Sequence, residues 1–254
     1  MNRRKPGPKQ LPELAAFLPA VATLDAGRRA EMLEAGREIL ECRRVLARGG
    51  LNVVGEVLRA QGPFVEMSHF PEDDVFDPDS HAQYYYHAHR GPVEHGHFHT
   101  FMRAAGMPSG SRPFDWPNAV ESWPAGDEAI SHLIAISMDA WGDAIGLFAT
   151  NRWVTDETWY PAETVIAMLD GFEIDHAFPS WPTNRWLGAM LRLYRPWIAG
   201  LLRHRDADIN AWIEHAPGHD VFEDRALEIT GFLSIDPDTL LEELGLTTGP
   251  TTNR

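Results

Sequence analysis

The spacing of hydrophobic and polar positions changes along this chain, and each change marks a different kind of element. From Ala26 to about Ala47, Met32, Leu33, Gly36, Ile39, Leu40 and Leu46 approximate one face at the helical repeat. Asp25 stands where an N-cap belongs, and Gly49-Gly50 where a helix stops. A shorter helix is predicted over 51–60, with Val53, Val54, Val57 and Leu58 apolar. Beyond it the period drops to two. Phe64–Phe70 reads as a first strand, and the acidic run Pro71–Ser80, with Asp73, Asp74, Asp77 and Asp79, as a solvated loop. Ser131–Asp139 and Ala144–Thr150 read as two further strands joined by a turn at 140–143. Helical spacing returns over about 161–170, and again from Asn184 to about Arg205, where Pro196 is expected to kink or split the helix. His204 is expected at the surface. Asp208 is expected to cap a separate short helix reaching His215, and Asp236-Pro237 to open a last one ending at Gly245.

These elements predict an α+β fold: an antiparallel β-sheet of four or more strands packed against helices from both ends of the chain. A single domain over 13–246 is expected, with flexible tails at 1–12 and 247–254. The segment 104–128 is dense in Gly, Pro and Ser. A loop of that length serves as a lid or is anchored by its own aromatic residues, Phe114, Trp116 and Trp123.

The chemistry is concentrated in His81–Phe101, HAQYYYHAHRGPVEHGHFHTF, which holds six of the twelve histidines. Two alternating runs flank Gly91-Pro92-Val93 and predict a β-hairpin of roughly 83–90 and 94–102. With Arg90 opposite Glu94, the paired positions are His89 with His95, His87 with His97, and Tyr85 with His99. Paired residues have Cβ atoms about 4.5–5.5 Å apart, and alternate residues on one strand are about 6.6 Å apart. Imidazoles at that spacing can converge on one metal ion, whose bonds to nitrogen are about 2.0–2.1 Å. His87, His89, His95, His97 and His99 are therefore the pool from which three or four ligands are drawn. His132 is a further candidate from the next strand. Strict alternation puts it on the face of Ile134, Ile136 and Met138, so without a bulge His132 and Asp139 cannot both reach the site. A remaining His, or Glu94 at the turn, is expected as general base, and Tyr85 to orient substrate or hydrogen-bond a ligand. His215 and His219 have helical metal-pair spacing, but Pro217-Gly218 between them breaks the helix.

Charge narrows the partners. Lys and Arg total 22 against 37 Asp and Glu, a net −15, which argues against nucleic acid or an anionic membrane. A small-molecule substrate is expected instead. The single cysteine, Cys42, excludes an internal disulfide. With no secretory signal pattern and no long apolar run, a cytoplasmic location is expected.

The segments YYYHAHR, EHGHFHTF and ISMDAWGDAIGLFATNRWVTDETWYPA together resemble an uncharacterised family of bacterial domains of unknown function. The resemblance covers the chain from about residue 27 to 235 and implies nothing about catalysis. The residues themselves point to a metal-dependent enzyme using a divalent transition metal: iron, copper or zinc. All-nitrogen ligation suits each of these. Oxidative chemistry at iron or copper is preferred to hydrolysis at zinc. A closed metal-storage or sensing site, and a module binding haem or another small ligand without metal catalysis, are the alternatives.

Overall fold

The computed structural model describes Pro8 and residues 11–247, so the tails expected at 1–12 and 247–254 fall mostly outside it. Six strands form one antiparallel meander in chain order: β1 (Phe70–Phe76), β2 (Ala82–His87), β3 (Gly96–Arg103), β4 (Ile130–Met138), β5 (Ala144–Thr150) and β6 (Ile229–Ser234). The helices are α1 (Ala26–Arg48), α2 (Val53–Leu58), α3 (Arg152–Thr155), α4 (Ala162–Met168), α5 (Trp181–His215) and α6 (Pro237–Glu243). They come from both ends of the chain, and the fold is α+β.

The Asp25 side chain accepts from the Arg28 amide and caps α1, which ends at Gly49. Met32, Ala35, Gly36, Ile39, Cys42 and Leu46 form its buried stripe. That stripe, most of α5 and one face of the sheet make the main core, in which Tyr84, Tyr86, Phe98, Met102, Ile134, Ile136 and Leu147 are buried. The opposite face carries Tyr85, His87, His97, His99 and Phe101. One sheet therefore has an ordinary apolar side and a side dominated by imidazoles.

Several expected elements are displaced. The first strand is not Phe64–Phe70 but the following acidic segment, Phe70–Phe76. It lies at the sheet edge, where Pro71 removes no ladder bond, and its pairing with β2 is irregular between Phe70 and Val75. The acidic run is not simply solvated: Asp77 accepts from the amides of Asp79, Ser80 and Asp175. α5 passes through Pro196 and continues to His215, so Asp208 is a buried residue within it rather than a new cap. His204 is buried too, bonded to the Pro12 carbonyl and edge-on to Phe17. In the 104–128 segment, Phe114, Trp116 and Trp123 pack on Phe222, and Trp116 donates to Asp220.

Gly96, the first residue of β3, sits against Tyr86. A Cβ there would lie 2.5 Å from the Tyr86 hydroxyl oxygen and 2.7 Å from the His87 carbonyl oxygen. The carbonyl is backbone and cannot swing aside. Gly96→Ala should therefore force β2 and β3 apart and lower stability by roughly 1–3 kcal/mol, read as a lower urea midpoint. An unchanged midpoint would contradict this packing.

Candidate metal centre

The β2–β3 register pairs Tyr85 with His99 and His87 with His97, as alternation predicts. The ladder stops there. Residues 91–93 form a single 3-10 turn, opened by Gly91 at φ 59, a left-handed conformation that glycine adopts without steric cost. Because β2 ends at His87 and β3 begins at Gly96, His89 and His95 do not pair. His95 is not brought to the cluster. Its Nδ1 lies 2.7 Å from the Tyr86 hydroxyl, and its ring stacks on Phe64 at 5.1 Å. Glu94 takes the place beside His97 instead.

Four imidazoles gather on the odd-numbered face. The His87 ring is 4.5 Å from His97, 4.9 Å from His89 and 5.1 Å from His99, and the His97 and His99 rings are 4.7 Å apart. His97 and His99 are fully buried, His87 nearly so, and His89 is partly exposed. Among the described residues, His87, His97 and His99 form one group whose ligand atoms all lie within 4.8 Å of one another. Nitrogens bound to a common tetrahedral ion would be about 3.3 Å apart, as bonds of 2.0–2.1 Å require.

The hydrogen bonds decide which nitrogen each ring offers. His97 Nδ1 faces Glu94 Oε1, whose other oxygen accepts from the Ser137 hydroxyl and, at 3.3 Å, from Arg90. A carboxylate accepts only, so His97 carries its proton on Nδ1 and turns the Nε2 lone pair toward His87, whose Nε2 is 2.7 Å away. His99 Nδ1 lies 2.9 Å from His132 Nε2, and His132 Nδ1 lies 3.5 Å from Thr150 Oγ1. His99 Nε2 and His87 Nδ1 are buried without a hydrogen-bond partner. Eight other buried side-chain polar atoms among the described residues also lack a partner, but these two sit on rings of one cluster with ligand-atom spacing, where a single ion would satisfy both.

His132 reaches this face by a device that strict alternation excludes. Thr100 pairs with Ile134 but the next residue, Phe101, pairs with His132, so Leu133 is an extra residue in β4. This bulge leaves Ile134 and Ile136 in the main core and turns His132 beside His99. Side chains satisfy the backbone groups it disturbs: the Thr100 hydroxyl donates to the Ile134 carbonyl, and Glu157 accepts from the His132 amide.

Two contributors lay outside the sequence expectation. His69 stacks on Tyr85 at 3.7 Å, stands edge-on to His87 at 5.8 Å, and is 2.8 Å from Asp74 through Nδ1. Asp74 in turn accepts from Gln83. Ser137, which pairs with His97 across β3–β4, completes the hold on Glu94. Ser137 could have been found by counting register. The His69–Asp74 pair could not, because it depends on where β1 begins. Tyr85 lies between His69, His99 and Phe101.

Burial, followed by the neighbouring imidazoles, depresses the His87 pKa to about 2. Burial, then the Arg205 charge, takes His132 to about 3. His99 is held well below the ordinary value chiefly by burial, and for His97 burial outweighs the opposing pull of Glu94. Burial raises Glu94, but bonds from His97 and Ser137 and the Arg90 charge more than offset it. Neutral imidazoles beside a carboxylate are the protonation states that metal binding needs.

The pH dependence follows. Unfolded imidazoles titrate near 6.5, so below that pH the unfolded chain takes up protons that these four rings refuse. Stability must then fall with pH, continuing toward about 3 for His132. Glu157 opposes this: burial raises it to about 7, so it contributes stability as pH drops from about 7 toward its ordinary 4.5. Between pH 7 and 5 the metal-free protein should lose on the order of 1–2 kcal/mol per imidazole, with Glu157 offsetting about one of them. Urea midpoints in chelator at the two pH values check this; a higher midpoint at pH 5 would refute it.

Among the described residues, no helix is long and apolar enough to cross a membrane. No curated protein and no solved structure matches the chain. One family model does, over residues 33–235, which is most of the length; the chain belongs to that family, a domain of unknown function (DUF6969).

Proposed function

We propose that this protein is a metal-dependent enzyme whose centre is a divalent transition ion held by His87, His97 and His99. The observation that carries the reading is the pair of partnerless buried nitrogens, His87 Nδ1 and His99 Nε2, in a cluster whose other ring nitrogens have fixed partners. Leaving two such groups unsatisfied costs about 1–3 kcal/mol each. An ion at the cluster removes that cost when His87 offers Nδ1 and His99 offers Nε2, and His97 Nε2 joins them by exchanging its contact with His87 for the ion.

Glu94 and His132 support the ligands rather than ligate. Glu94 fixes the His97 tautomer, and its oxygens are already engaged by three donors, so orienting His97 suits it better than acting as general base. His132 does the same for His99. His89 borders the cluster on its more exposed side and is either a fourth ligand or a group facing the substrate.

Three ligands that do not fill the coordination sphere favour catalysis over storage. The partly exposed His69, His89 and Arg90 mark the side from which a small molecule would enter. Neutral imidazoles suit iron, copper or zinc. Iron or copper with oxidative chemistry is the preferred form, and zinc with hydrolysis the other. A haem held by His87 is disfavoured, because three other imidazoles, of His89, His97 and His99, pack 4.5–5.1 Å from its ring where a macrocycle would need room.

Elemental analysis with an absorption spectrum should find one transition ion per chain after reconstitution. His97→Ala should cut bound metal at least tenfold, and Glu94→Gln, which removes only a supporting partner, about 10–100-fold in affinity. Full metal content in both variants would end the proposal.

A further inference from the structure

Beside the imidazole cluster stands a cation that ligation does not require. The Arg90 guanidinium lies 4.8 Å from the centre of the Phe148 ring and 5.7 Å from that of Phe232. Phe148 in turn contacts His97 at 5.1 Å and His99 at 6.1 Å. The two phenylalanines are stacked at 6.3 Å, and Gly146 makes room for this: a Cβ there would lie 2.5 Å from the tip of Phe232. The guanidinium carbon thus lies over both rings within cation–π distance, a contact arginine makes more often than lysine.

Arg90 is poorly explained as a partner for Glu94. It reaches that carboxylate through Nη1 alone, at 3.3 Å, while His97 and Ser137 hold the same group by closer contacts. A guanidinium devoted to a carboxylate normally grips it with two nitrogens. The side chain keeps 17% of its surface exposed, against 1% for Glu94, so it faces the rim of the site.

Charge balance gives the position a meaning. With neutral imidazoles, a divalent ion and Arg90 are opposed at the centre by one carboxylate, Glu94. Two further carboxylates flank the cluster: Asp74 is engaged by His69 and Gln83 beyond Tyr85, and Glu157, which accepts from the His132 amide, is opposed by the Arg205 and Arg152 charges. A protein of net charge −15 would thus carry, at this one site, an excess of positive charge. Such a site selects an anion from solution, and a fork over an aromatic platform selects a planar one.

We infer that the substrate of the centre is a small carboxylate-bearing molecule, its carboxylate received by Arg90 while another part, or one carboxylate oxygen, reaches the metal. This rests on the metal reading above and adds the chemical class of what binds there.

Cobalt(II)-loaded protein tests it, because the visible spectrum of that ion reports changes in its surroundings. Acetate and benzoate should perturb the spectrum saturably, and acetamide and benzamide should not. Arg90→Gln should weaken carboxylate binding at least tenfold with cobalt content unchanged, and Arg90→Lys should fall between. Carboxylates that bind wild type and Arg90→Gln equally, or that leave the wild-type spectrum unmoved, overturn the inference. So does loss of cobalt in both Arg90 variants, which would make Arg90 a bracket for Glu94. Failure of the wild type to take up cobalt at all would overturn the metal reading and this inference together; the content measured before any anion is added separates that case from the rest.

Discussion

Burying an imidazole is tolerable only when both ring nitrogens have something to bond. This constraint organises the histidine face of the sheet. Glu94 settles it for His97 and His132 for His99, but each of these partners satisfies one nitrogen and aims the other inward. Each inward nitrogen then meets another imidazole or nothing at all. A cluster arranged in this way is incomplete as a purely structural core and has the donor set for one cation.

The fold serves that arrangement. A six-strand meander places β2, β3 and β4 side by side, so sequence neighbours on three consecutive strands become ring neighbours. The apolar face pays for the assembly by packing on α1 and α5, and the opposite face is thereby free to carry polar rings. The Leu133 bulge, with Thr100 and Glu157 satisfying the backbone, brings in His132 while Ile134 and Ile136 stay in the main core. Ser137 on the same strand reaches Glu94 from below His97. The clustered histidines thus come from β2 and β3, and β4 supplies His132 beside His99 and Ser137 on Glu94.

The β2–β3 register and the convergence of His87, His97 and His99 were legible because alternation over six residues leaves only one face for them. The capped α1 was legible from Asp25 and Gly49. What failed did so where local pattern and tertiary context diverge. His95 obeys the alternation in sequence, yet β3 begins one residue after it, and Tyr86 and Phe64 draw it to the other side. His132 was assigned to the apolar face because a bulge has no signature in a run as uniformly apolar as Leu133-Ile134-Ala135-Ile136. β6 was missed because Ile229–Ser234 is short and mixed in character. β1 was placed one segment too early, since Glu72, Asp73 and Asp74 hide an edge strand whose outward residues face water. That error concealed the His69–Asp74 pair. Membership of the DUF6969 family confirms the resemblance carried by the histidine motifs and leaves the chemistry to be argued from the site.

X-ray absorption at the metal edge of the reconstituted protein tests the central claim most directly. Three imidazole nitrogens at about 2.0–2.1 Å, with the multiple-scattering pattern of the rings, are the expected result. A first shell made of oxygens, or with fewer than two imidazoles, would show that the ion sits elsewhere and that the buried rings on β2 and β3 do not hold it.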